Sequence, residues 1–154
     1  MARRNLITVS IGILLVAFGT AGALADPVNQ IDGVAIHGFD PVAYFTRHKA
    51  VKGDPDFSSV YEGVTYEFAS LKDQKLFELN PARYVPQYGG YCAFGVSEGA
   101  KADIDPHAFT IKDGKLYLNY SEEVGRDFGK NTAARIEKAD QNWSAVSQQD
   151  KTIR

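Results

Sequence analysis

The chain has 154 residues, a formal net charge of −2, one Cys, one Met, one Trp and three His. It is too short for two ordinary domains with linkers, and long enough for one real core. Near-even charge argues against a nucleic-acid footprint, and a single cysteine excludes a disulfide scaffold, a Cys-rich zinc module or an iron–sulfur site.

Residues 1–25 read as an export signal. Arg3 and Arg4 form the basic start, residues 6–18 are mostly apolar, and Ala23-Leu24-Ala25 is a small-x-small cleavage site. The apolar run is short for a bilayer of roughly 30 Å, and no stop-transfer cluster follows. The Arg pair followed by Asn5-Leu6-Ile7 is a partial match to a twin-arginine signal. Cleavage leaves 129 residues with formal charge −4 and no methionine, which excludes a Met-rich copper carrier. The expected location is a bacterial periplasm. The expected partners are periplasmic proteins, with neither nucleic acid nor, after cleavage, membrane.

Residues 26–154 contain no linker and read as one domain, with residues 26–32 a loose lead-in and residues 148–154 a frayed tail. Phe57 to Tyr61 and Val64 to Phe68 flank Glu62-Gly63, a hairpin signal. Ser70 then caps a helix over residues 71–79, with Asp73 at the capping-box position. Phe109 to Lys112 and Lys115 to Leu118 flank Asp113-Gly114, which suits a type I′ turn. Ser121 caps a second helix, with two acids facing its dipole. The two stretches share spacings: each turn glycine (Gly63, Gly114) precedes a Tyr, a Ser and a Phe at matching intervals. Against a repeated unit, Leu116 and Leu118 are one residue out of phase with Val64, Tyr66 and Phe68, and such a shift flips faces. An amphipathic helix from about Thr132 to Val146 puts Ile136, Ala139, Trp143 and Val146 on one stripe. The expected fold is α+β: a small single domain with two β-hairpins packed against three or four helices.

The densest segment runs from Phe77 through Asn80-Pro81, Tyr84, Tyr88, Gly89-Gly90, Tyr91 and Cys92 to Phe94. The string YEFASLKDQKLFELNPARY resembles the YHS domain. HGFDPVAYF, YVPQYGGYCAF, DGKLYLNYS and KADQNW resemble its exported branch, the YHS domain-containing (seleno)proteins. The resemblance covers about residues 33–143. It implies a small α+β domain and, in the metal-handling branch, a cysteine-ligated metal. Here the three matching cysteine positions hold Ala43, Ala69 and Asp73, so the thiolate site does not carry over.

The remaining thiol, Cys92, follows Gly89-Gly90-Tyr91, where glycines permit a tight turn. The branch name implies selenocysteine in some members, which points to redox chemistry or soft-metal ligation at the matching position. A lone cysteine is equally at home as a small buried hydrophobe. Cys92 with His37 forms the candidate metal pair, for copper or another transition metal, and Tyr88 and Tyr91 are candidate pocket residues. His48 and His107 read as solvent-facing. Three functions stand side by side: a binding module for transition-metal or redox-stress handling centred on Cys92, a thiol-dependent oxidoreductase, and a structural interaction domain.

Overall fold

The computed structural model describes residues 26–154. The expected export signal lies outside them. Among the described residues, no helix is long and apolar enough to cross a membrane.

The fold is mixed α+β. The first sheet contains β1 (Gln30–Ile31), β2 (Val34–Ala35), β3 (Asp54–Tyr61) and β4 (Val64–Phe68), in the order β1-β2-β4-β3. β2 runs parallel to β4 and the other neighbours are antiparallel. α1 (Ala43–Thr46) precedes β3, and α2 (Leu71–Leu79) and α3 (Pro81–Tyr84) follow β4. α4 (Ala93–Ser97) leads to the second sheet, a hairpin of β5 (Asp105–Lys112) and β6 (Lys115–Asn119). α5 (Glu122–Lys130) and α6 (Thr132–Val146) follow.

Local chemistry explains the boundaries. Glu62-Gly63 and Asp113-Gly114 both turn through positive φ, as a right-twisted hairpin needs. The Ser70 hydroxyl accepts the Asp73 N–H at 3.2 Å, and the Ser121 hydroxyl accepts that of Val124 at 3.2 Å. Each bond satisfies a helix-end donor that would otherwise be orphaned.

The hairpin–helix unit is used twice. Both hairpins open on Asp-Pro, and in both the first Asp carboxylate accepts the N–H two residues on. Both ladders then break register at the same place, between Asp54 and Ser58 and between Asp105 and Phe109. Both capped helices end at an Asn of near-identical conformation, Asn80 and Asn131, from which the next helix starts. Tyr66 packs on Phe77 at 5.1 Å, and Tyr117 packs on Phe128 at 5.8 Å, with similar tilts. The phase conflict between the strands has a simple cause. β6 is buried on both faces: Leu116 and Leu118 join the main core with Val64, Tyr66 and Phe68, while Tyr117 joins Phe128, Ala139 and Val146 under α6.

Both chain ends depart from expectation. The lead-in is not loose: Val28 and Asn29 are buried, and Asn29 N–H donates to Gly89 O at 2.8 Å. Asp32-Gly33 makes a third tight turn, joining β1 to β2. The tail is not frayed either. Ile153 bridges Ala102, donating to Lys101 O at 2.8 Å and accepting from Asp103 N–H at 2.7 Å. Lys101 binds both ends. Its side chain is 2% exposed, and Nζ donates to the carbonyls of Asp26, Ser147 and Gln149.

Candidate functional site

Two left-handed turns, Ile36–Gly38 and Gln87–Gly90, organise the centre of the molecule. In the first, Ile36, His37 and Gly38 have φ of 42°, 55° and 70°. In the second, Tyr88, Gly89 and Gly90 have φ of 55°, 60° and 79°. A β-branched residue at positive φ is strained, at a cost on the order of 1–3 kcal/mol. The turns are packed together: a side chain at Gly90 would meet Ile36 Cγ2 at 2.9 Å, and one at Gly89 would meet Pro27 O at 2.0 Å. Asn29 joins them, its Nδ2 donating to Gly90 O at 3.2 Å while its backbone binds Gly89. Two of the strings singled out in the sequence, HGFDP and QYGGYCAF, are therefore one structural unit.

His37 leaves its turn towards Asp103, with Nε2 2.8 Å from Oδ1. The same oxygen accepts from Asn29 Nδ2 at 2.9 Å and from Ile104 N–H at 2.8 Å. Burial works against charge on this carboxyl, but the bonds from Asn29, Ile104 and His37 outweigh it and hold the group below its ordinary range. The ionised acceptor takes a hydrogen bond from Nε2 and so fixes the orientation of the ring. His37 lines a cleft of about 380 Å³ with Asp32, Lys52 and Glu67. Lys52 Nζ also donates to the His37 carbonyl, securing the strained turn.

Cys92 lies elsewhere in the unit. It is 1% exposed and caps α4, its Sγ accepting the Gly95 and Tyr120 N–H groups, each at 3.3 Å. Burial pushes the thiol up, against the lowering effect of those N–H groups. Asn119 Oδ1 lies 3.9 Å from Sγ and accepts the Phe94 N–H at 3.2 Å. Among the described residues, Asn119 Nδ2 and Asn29 Oδ1 are buried without a hydrogen-bond partner.

The two expected metal residues thus have separate partners: Asp103 for His37, and backbone amides and Asn119 for Cys92. Among the described residues, no group of three or more His, Cys, Asp and Glu is arranged to hold a metal ion. Ala43, Ala69 and Asp73 do not fit a soft metal. Ala43 and Ala69 offer only backbone N–H groups, which bond Asp40. Asp73 is occupied by Arg47 at 2.5 Å and Ser70 at 3.0 Å.

Tyr88 and Tyr91 are anchors. Tyr88 donates to Asp140 at 2.8 Å and Tyr91 to the Asp26 carbonyl at 3.0 Å. Their rings stand 5.8 and 6.5 Å from that of Trp143. His107 is exposed, edge-on to Phe39 at 5.6 Å, and His48 is exposed in a loop.

Sequence reasoning missed Asp103, Asn29, Lys52 and Glu67, which meet His37 only through tertiary packing. The turn at Ile36 has no local signal, because its residue type opposes its conformation. No family model, no curated protein and no solved structure matches the chain.

Proposed function

We propose that the protein is an exported YHS-type binding module, not an enzyme, and that its ligand is a transition-metal complex taken by His37. The observation that carries this reading is the carboxylate–imidazole pair. Asp103 orients the ring, and His37 lines a cleft bearing further charged groups. The chain assembles no three-donor cluster among the described residues. The metal therefore arrives with ligands of its own, and the imidazole fills one remaining position. Copper(II), which favours imidazole nitrogen, is the leading case.

Cys92 supports this module as a packing and capping residue. Its burial and raised thiol pKa oppose a role as a thiolate nucleophile or soft ligand.

The test is titration with copper(II)–glycinate, followed by electron paramagnetic resonance, in a background carrying His48→Gln and His107→Gln. One equivalent with a new imidazole-nitrogen coupling is expected. It disappears in His37→Gln and persists in Cys92→Ser. Absence of uptake, uptake that survives His37→Gln, or dependence on Cys92 overturns the proposal.

A further inference from the structure

A second cleft, of about 270 Å³, opens where the first hairpin meets α6 and the N-terminal strap. Its walls include Trp143, Tyr66, Val85, Pro86 and Pro27, and its one charged lining residue is Glu62. No lysine, arginine or histidine lines it.

Three features set this cleft apart from an ordinary surface hollow. First, the Trp143 ring packs beside those of Tyr88 and Tyr91, 5.8 and 6.5 Å away. Tyr88 is itself tied to Asp140 of α6, the helix that carries Trp143. Second, Tyr66, 3% exposed, lines the cleft beside these apolar groups. Burial first, and then the Glu62 charge, raise its hydroxyl above the ordinary range, so it stays neutral. Third, Glu62 forms no ion pair among the described residues. It stands at the hairpin tip in a positive-φ turn and lines the cleft.

An indole ring, a carboxylate outside any ion pair and a hydroxyl oxygen in an otherwise apolar hollow select a particular chemistry. Anions are repelled by Glu62. A strongly hydrated metal cation gains little from apolar walls. A cation that carries its own alkyl groups gains on every side: its charge meets the carboxylate and the face of the indole, and its carbon buries against proline and valine. We infer that this cleft binds a small alkylammonium ion. This site is independent of the His37 cleft and does not rest on the metal reading.

Trp143 is the chain's one tryptophan, so its emission reports on this cleft directly. Titration of the protein with n-butylammonium is expected to give a saturable fluorescence change, with Kd on the order of 1 mM for so few heavy atoms. Neutral 1-pentanol, of similar length, is expected to give none in the same range. Glu62→Gln removes charge at an exposed turn without touching the core, and is expected to weaken butylammonium roughly fivefold. Tyr66→Phe keeps the ring and removes only the hydroxyl, and is expected to weaken it by a smaller factor. The inference is overturned by a response to pentanol equal to that to butylammonium, by the absence of saturation to about 50 mM, or by unchanged affinity in Glu62→Gln.

Discussion

Asp40 Oδ2 accepts the Ala69 N–H at 2.9 Å, tying together segments on either side of the first hairpin. The other oxygen accepts the Val42 N–H at 2.8 Å and that of Ala43 at 3.2 Å. Three donors hold the carboxyl, yet its pKa is pushed up to about 6. Burial is the main cause, and the Asp73 charge nearby adds to it, itself paired with Arg47. An unfolded Asp titrates near 3.9, so between these values the folded state binds the extra proton. Stability contributed by this group therefore falls as pH rises from about 4 to about 6. Asp103, with its lowered pKa, acts in the opposite sense and at lower pH. Urea midpoints across pH 4 to 7 are expected to show this slope in the wild type and a flatter one in Asp40→Asn. An unchanged slope would exclude Asp40 as its source.

Gly89 and Gly114 both have positive φ, but only one is crowded. A methyl at Gly89 would sit 2.0 Å from the Pro27 carbonyl oxygen, while one at Gly114 meets nothing within 4 Å. Gly114→Ala is expected to cost only the left-handed penalty, about 1–2 kcal/mol. Gly89→Ala carries that penalty and must also displace the N-terminal strap. Its cost in chemical denaturation is expected to be larger, with faster amide exchange at Asn29. Equal costs would mean that the strap moves freely.

The two anchor rings of the repeated hairpin–helix unit hold matching positions. Phe77 is 1% exposed and Phe128 is 0% exposed, each beneath a tyrosine of its own hairpin. Phe77→Ala and Phe128→Ala are each expected to cost about 3–5 kcal/mol by equilibrium unfolding. A large disparity would show that one half is an accessory to the other.

Cys92 is expected to resist alkylation. Its sulfur is enclosed and its thiol pKa is raised, so reaction with iodoacetamide at neutral pH requires the protein to open. A rate at least about 100-fold below that of the denatured chain is expected, since an opening costs several kcal/mol. Fast labelling of the native protein would reopen a redox role for the thiol.

Local signals in the sequence locate much of the scaffold. The two hairpins, both serine caps and the 15-residue α6 follow from turn dipeptides, cap chemistry and apolar period. Asp32-Gly33 carries the same dipeptide as Asp113-Gly114, yet its strands, β1 and β2, are too short to show alternation. The site is a different matter. His37 and Cys92 stand out as residue types, but what each does is decided by Asp103 and Asn119, neither of which bears a recognisable spacing to its partner. Ile36 at positive φ contradicts its own propensity and is held there by the opposing Gly89-Gly90 turn. Tertiary contact overrides local preference there. The docking of the tail on Ile153 is equally silent, a single apolar residue in a polar stretch.

Lys101 grips the Asp26 carbonyl on one side and those of Ser147 and Gln149 on the other, while Arg154 reaches Asp103 at 3.5 Å. Both ends of the described chain thus leave the body at one spot. A pull applied across them would load this lysine and the Ala102–Ile153 bridge one contact at a time, as a zip opens. The two sheets would bear little of the force until that clasp had parted.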